Sequence, residues 1–444
     1  MIACLGDRDY RGHSVGAKLL IERASWTLVD QGVVSGGNFL LNILLARTLS
    51  EADYGQFVLF LGAIFALRAF DYSLISYPLS VRLCVASDEE RARLLGNTIL
   101  LAVALNIVSV AVMGLGATLL MAHDVWLPAC LCFLCWQAQE TSRRCLLADF
   151  RYRAAVPGDG TSHVGQAMLI ALLAWFGTVT LPFALYAMSA AFAIGALVHV
   201  PKLRLAWPDL CQTRLLARDY LSIGKWSLVN YQLVVLRRQL FPWMLAGTAG
   251  TGATASFQAG ANISGTMTPI IIGIGNAIPQ AAAEAHPTGG VIGALRAAYG
   301  YVLFGLAPVL VICAAAVLMP EFLLRTVYGP SSPYVAAAMA LQLLAVAGVL
   351  DYIADAATKT LLGVQAGKLA SLVNAAGVAT AAVLALALVG RLGVVGACLG
   401  LLIANLVRAT GAVLAIVWLI AEEKSRMADL SVADVAPGSS RRTP

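Results

Sequence analysis

Charge is what this sequence has least of. Asp, Glu, Lys and Arg make up 12% of its 444 residues, about half the roughly 25% of an average soluble protein. So few charges cannot cover a soluble domain of this length, and a disordered chain is excluded more firmly still. No dense basic run interleaved with aromatics occurs, so no nucleic-acid partner is expected. There is no Ser/His/Asp cluster, nucleotide-phosphate loop or HExxH motif, so no catalytic residue, enzyme activity or cofactor is assigned. The five histidines (His13, His123, His163, His199, His286) are scattered, and the nine cysteines imply no disulfide framework. Cys130, Cys132 and Cys135 crowd together in ACLCFLCW without a nearby His. A structural zinc site wants four ligands, so no metal is expected there.

Apolar residues fill the gap, at 59% of the chain. Apolar surface this extensive requires lipid as its solvent. Runs near or above the roughly 20 residues that cross the hydrocarbon occupy 27–49, 56–80, 95–121, 125–147, 163–180, 182–201, 223–246, 253–280, 292–319, 335–358, 369–390 and 393–420. They are continuously apolar rather than alternating, which favours helices over a β-barrel. The spacing therefore predicts an all-α polytopic membrane protein of about twelve transmembrane helices. Counted on that topology, 23 basic residues fall on one side and three (Arg47, Arg325, Arg391) on the other. The basic side is expected to be cytoplasmic, with both termini there. The net charge of +6 is then a signal of orientation and says little about partners.

The sequence also repeats itself. Trp26-Thr27-Leu28-Val29-Asp30 recurs 200 residues later as Trp226-Ser227-Leu228-Val229-Asn230, and the ungapped pairing of 26–57 with 226–257 carries nine identities. Pro78 pairs with Pro279 after one insertion. Parallel repeats predict two pseudo-symmetric six-helix bundles. The expected division is a cytoplasmic N-terminal segment 1–24, a bundle 25–205, a cytoplasmic linker 206–222, a second bundle 223–421 and a disordered cytoplasmic tail 422–444. Two such bundles suit alternating access around a site between them, which points to a transporter. Pro242, Pro269, Pro279 and Pro308 are expected to kink their helices.

The segment Trp26…Asp30-Gln31-Gly32…Ser35…Asn38-Phe39…Leu45-Ala46-Arg47…Tyr54-Gly55-Gln56-Phe57 resembles the opening of bacterial polysaccharide-biosynthesis membrane proteins. These are O-antigen and exopolysaccharide flippases of the multidrug/oligosaccharidyl-lipid/polysaccharide (MOP) exporter superfamily. Gln139-Glu140…Arg143-Arg144 followed by Arg151 is similar to that family's fourth helix and loop. The resemblance implies a MATE-like pair of bundles in the bacterial inner membrane. It implies transfer of an undecaprenyl-pyrophosphate-linked oligosaccharide from the cytoplasmic to the periplasmic leaflet, for lipopolysaccharide or exopolysaccharide assembly. The partners implied are that lipid-linked oligosaccharide, membrane lipids, a coupling H+ or Na+ and other polysaccharide-assembly proteins.

Charges at membrane depth cost about 2.5–3.5 kcal/mol each, so they mark candidate sites. Arg237 and Arg238 on the seventh span and Arg408 on the twelfth have no neutralising partner nearby in sequence. With Arg68 they are the candidates for holding a pyrophosphate, because guanidinium donors match phosphate oxygens bidentately. The competing reading is inter-helix salt bridging, for example to Asp30 or Asp351. Adjacent Arg237 and Arg238 cannot share one helix face. Arg68 and Asp71, three apart, read as a charged cleft lining or as a self-neutralising pair. Asp351, Asp355 and Lys359 form a stripe one turn apart. With Asp71, Asp351 and Asp355 are the candidates for ion coupling, against a structural network closed by Lys359. Asp30 is expected to cap or anchor the first helix. Arg143, Arg144, Arg151 and Arg153 are read as loop residues for orientation and anionic-lipid contact, or as guides for a pyrophosphate. The alternative functions are a multidrug/cation antiporter of the same superfamily and, from another class, a membrane glycan polymerase or ligase.

Overall fold

Short polar punctuation between the apolar runs is where helices begin. Ser50 is an N-cap whose hydroxyl accepts from the Asp53 amide at 3.1 Å, opening α2 (Glu51–Asp71) with two acids in its first turn. At the start of α4 (Asp88–Leu119) the Glu90 carboxylate reaches back and accepts from the Ser87 amide and hydroxyl, both at 2.9 Å, one half of a capping box. Thr180 and Asp209 cap two further helices.

The computed structural model describes residues 13–119 and 123–435. Among them no strand occurs. The first helix, α1, is His13–Thr48; after α2 come a π-helical turn Tyr72–Ser76, α3 (Tyr77–Val85), α4 (Asp88–Leu119) and α5 (His123–Ala148). Next are α6 (Tyr152–Asp159), a π-turn Gly160–Val164, α7 (Gly165–Trp175), α8 (Leu181–His199), α9 (Leu210–Ala249) and α10 (Thr251–Ser264). The chain ends with α11 (Thr268–Leu318), α12 (Pro320–Tyr328), α13 (Ala338–Gly363), α14 (Gly367–Leu384), a π-turn Ala385–Val389 and α15 (Gly390–Val435).

Among the described residues six helical stretches are long and apolar enough to cross a membrane, including Thr251–Leu318 and Gly367–Ser425, each of which holds two of the expected spans. Their outward faces are apolar: on α4, Ile107, Val108, Val112 and Leu115 are all more than half exposed. Contiguous exposed apolar surface on this scale calls for lipid contact, and the chain is a multi-pass membrane protein. Neither α5 nor α9 is among these six. Those two carry Glu140, Arg143 and Arg144, and Arg237 and Arg238.

By internal packing the chain divides into two units, 1–258 with 327–332, and 259–326 with 333–444. Of the expected linker 206–222 most is helical: only 203–209 are non-helical before α9 starts. The tail expected to be disordered from 422 is helical to Val435, and 436–444 lie outside the described residues, as do 1–12 of the expected N-terminal segment. The repeat positions Trp226 and Asn230 are on α9, their side chains outside the described set.

In the first unit α5 packs on α8, α1 on α6 and α7, and α9 on α2. Gly37 allows α1 to meet the Gly160–Val164 turn: a Cβ there would lie 2.5 Å from the His163 carbonyl oxygen. In the second unit α13 packs between α11 and α15. The break in α11 falls at Gly290 (φ 60°, ψ −159°), whereas Pro279, Pro287 and Pro308 sit within helix. The amide freed there, Val291 N, donates to Glu423 of α15 at 2.9 Å. An L-residue is strained at such a φ/ψ, so Gly290→Ala is expected to cost about 1–3 kcal/mol. Thermal unfolding of the purified protein measures this, and an unchanged midpoint would show that Gly290 is not the required hinge.

Candidate functional site

A cavity of about 400 Å³ opens inside the first unit. Its walls come from α1 (Gln31, Asn38, Asn42), α2 (Phe65, Arg68), α5 (Trp136, Glu140, Arg143, Arg144) and the segment after α6 (His163, Gln166), with Gln258 of α10. The key spacing is on α5: Glu140, Arg143 and Arg144 stand at i, i+3 and i+4 and share one helical face.

Arg143 is the hub of the site. Its Nη2 donates to Asp30, its Nε donates to Asp159 Oδ2 at 2.7 Å, and its Nη1 lies 3.7 Å from Glu140. Gln139 Nε2 donates to the other Asp159 oxygen at 2.6 Å. All are buried, so α1, α5 and α6 are tied by a charge network of low solvent access, where pairing is obligatory.

Arg68 and Arg144 reach further into the cavity. Arg68 Nη2 is 3.1 Å from Glu140 Oε2, and Arg144 Nε donates to Glu140 Oε1 at 2.7 Å. The Arg68 guanidinium also lies 4.5 Å over the Trp136 ring, which stacks on Phe192 at 4.8 Å. Arg144 sits 5.3 Å over Tyr72. These cation–π contacts hold the two guanidiniums in place without using their N–H donors. Around them are amides. Asn38 Oδ1 accepts from His163 Nδ1 at 3.1 Å and from Gln166 Nε2 at 3.3 Å. Gln166 Oε1 and Trp136 Nε1 are buried without a hydrogen-bond partner. A cavity with three guanidiniums, one lining carboxylate, an aromatic wall and spare amide groups can bind a polar anion.

The structure distributes the expected site residues unevenly. Arg68 lines the cavity, but its ion pair is with Glu140 on α5 and not with Asp71 one turn away. Asp71 is buried, accepts from Ser76 at 3.4 Å through Oδ2, and has no partner at Oδ1. Arg237 is buried and Arg238 exposed, as adjacent helical positions require, and neither lines the cavity. Arg408 belongs to the second unit. Its Nη1 donates to Asp351 at 2.5 Å, and its Nε and Nη2 donate to Asn374 at 3.2 and 3.1 Å. It ties α13, α14 and α15 together, with Asp351 carrying its counter-charge. Asp355 and Lys359 continue the stripe on α13, and the missing side chain at Gly275 makes room for them: a Cβ there would lie 2.7 Å from Asp355 Oδ2.

Three residues need a corrected place. Asp30 lies inside α1 and pairs with Arg143; it does not cap the helix. Arg143 and Arg144 are helical and line the cavity, not a loop. The signal for them was the i, i+3, i+4 charge triplet within a span. Arg408→Ala removes Asp351's counter-charge from a half-buried site and is expected to destabilise the fold by about 2 kcal/mol. Arg408→Ala protein that unfolds at the wild-type temperature would contradict a structural role.

No protein-family model matches the chain, and no curated protein sequence matches it significantly. Solved structures do match. A multidrug resistance MATE family transporter of the MOP superfamily, in an inward-facing conformation, aligns with a TM-score of 0.70 at 16% identity, over 92% of this chain and 96% of that one. The lipid II flippase MurJ, in an inward closed conformation, aligns with a TM-score of 0.67 at 10% identity, over 94% of each chain. A MOP superfamily transporter from Pyrococcus furiosus, with a binding pocket of reversed polarity, aligns at 0.61 and 16% identity, over 91% and 95%. At these identities the likeness shows the fold: the all-helical, membrane-spanning architecture of MATE and other MOP transporters.

Proposed function

We propose that this protein is a transporter that flips an undecaprenyl-pyrophosphate-linked oligosaccharide across the bacterial inner membrane by alternating access, both termini being cytoplasmic, in surface polysaccharide assembly. The observation that carries this reading is the pair of guanidiniums, Arg68 and Arg144, that line the cavity and share one carboxylate, Glu140, while Arg143 beside them is compensated by Asp30 and Asp159. Guanidiniums held in place by ring contacts suit a diphosphate, which offers several oxygens for bidentate contact. Asn38, Asn42, Gln31, Gln166 and Gln258 supply the amide donors and acceptors that a sugar hydroxyl requires. Within this reading Arg68 and Arg144 hold the pyrophosphate, and Arg143 fixes the wall behind them. Arg237, Arg238 and Arg408 are not assigned to it. The MurJ fold supports the reading, because one protein of this architecture is a lipid II flippase.

Asp71 is the candidate for ion coupling, as a buried carboxylate with one oxygen unpartnered. It directly precedes a π-turn, a feature that often marks functional positions. The alternative, a multidrug/cation antiporter, draws on the MATE fold, but two guanidiniums sharing one carboxylate are the wrong lining for an organic cation. Disruption of the gene is expected to leave undecaprenyl-linked glycan on the cytoplasmic leaflet and to leave drug tolerance unchanged. Normal surface polysaccharide with loss of drug efflux would favour the antiporter.

A further inference from the structure

Glu140 is the one carboxylate among the described residues that line the cavity. It touches each lining guanidinium, at 3.1 Å from Arg68, 2.7 Å from Arg144 and 3.7 Å from Arg143. Arg143 has Asp30 and Asp159 behind it. Arg68 and Arg144 both draw on Glu140, one on each carboxylate oxygen. The side chain therefore spans the gap between two cations that stand on different helices, α2 and α5. Glu140 engages Arg68 through Nη2 and Arg144 through Nε, so a phosphate group bridging the same two guanidiniums enters the gap beside the carboxylate and competes with it for their charge.

We propose that the Glu140 carboxylate is a built-in competitor for the substrate's phosphate: it neutralises Arg68 and Arg144 while the cavity is empty and is displaced when a diphosphate binds. This rests on the reading of the cavity as a diphosphate site and adds how its affinity is set. A binding site used for transport has to release what it captures. Two partly buried guanidiniums without a resident anion would pay a desolvation cost when the cavity is empty and hold a phosphate tightly when it is full. A resident carboxylate offsets both. It stabilises the empty cavity, and its lost ion pairs are subtracted from the binding of each incoming phosphate. The cation–π contacts with Trp136 and Tyr72 keep the guanidiniums in place when Glu140 lets go.

The test uses the full chain purified in detergent, with farnesyl diphosphate as the probe and calorimetry as the readout. Glu140→Gln keeps the side chain's length and carbonyl acceptor and removes its charge. It is expected to bind the probe about tenfold more tightly, or 1.4 kcal/mol, and to gain more in thermal midpoint from the probe than wild type does. Glu140→Asp, which shortens the carboxylate's reach by one methylene, is expected to tighten binding by a smaller factor and remains usable should the Gln variant fold poorly. If the probe binds the variants as weakly as wild type or more weakly, while Arg68→Ala still weakens binding, Glu140 only orients the arginines and the competitor role is wrong. If wild type does not bind the probe at all, the diphosphate reading falls, and this inference falls with it.

Discussion

The double variant Arg68→Ala/Arg144→Ala is expected to abolish export of the lipid-linked oligosaccharide while still producing folded protein. Each guanidinium contributes charge-assisted hydrogen bonds worth about 1.5–3 kcal/mol, so each single variant should weaken diphosphate binding about 10–100-fold. The loss of both should take binding below detection. Two features make this a test of function rather than of folding. Both side chains are partly open to the cavity, 19% and 35% exposed, and their shared partner Glu140 keeps Arg143 beside it. Arg→Lys variants sharpen the point, because Lys supplies the charge without the planar fork and should recover only part of the binding. Complementation of a disrupted strain, scored by surface polysaccharide together with protein level, measures the effect. Wild-type polysaccharide from the double variant would remove the site from this cavity.

Arg143→Ala is expected to fail in a different way, by loss of the fold. The substitution strands Asp30 and Asp159, the latter fully buried, and breaking a buried ion network by removing one partner costs about 3–5 kcal/mol. Folded yield and thermal midpoint in detergent should both fall steeply. Neutralising the whole set at once, with Asp30→Asn, Arg143→Met and Asp159→Asn, should recover most of the stability, since no unpaired charge then remains. If Arg143→Ala folds as well as wild type, Arg143 is not the hub, and its charge becomes available to the substrate as a third guanidinium.

These contrasts show what the chain's pattern discloses and what it hides. Scarcity of charge forces lipid as solvent, and the apolar runs lie on helices because their length and continuity leave no other way to satisfy the backbone. Arg68 is legible as a deep charge for the same reason. Its partner is not. Sequence offers Asp71 three residues away, whereas the fold supplies Glu140 from another helix. Asp30 and Arg143 are 113 residues apart, and Arg408 and Asp351 are 57 apart, so pairing between helices decides the chemistry and no local spacing reveals it. Arg143 and Arg144 read as interfacial because they follow the apolar half of their span. Only packing against α1 and α6 turns the polar half into a cavity wall. The hinge at Gly290 and the π-turns after Asp71 and Asp159 are backbone adjustments that hydropathy does not register.

Translocation in vesicles tests whether this protein moves an anionic, phosphate-linked lipid. The full chain is reconstituted into liposomes with a fluorescent short-chain isoprenyl-diphosphate oligosaccharide, and its leaflet is read by accessibility to an external quencher. The expected result is movement between leaflets that requires the protein, is lost in Arg68→Ala/Arg144→Ala and is unaffected by an organic cation such as ethidium. Ethidium transport by the same vesicles, with the diphosphate lipid left in its original leaflet, would contradict it.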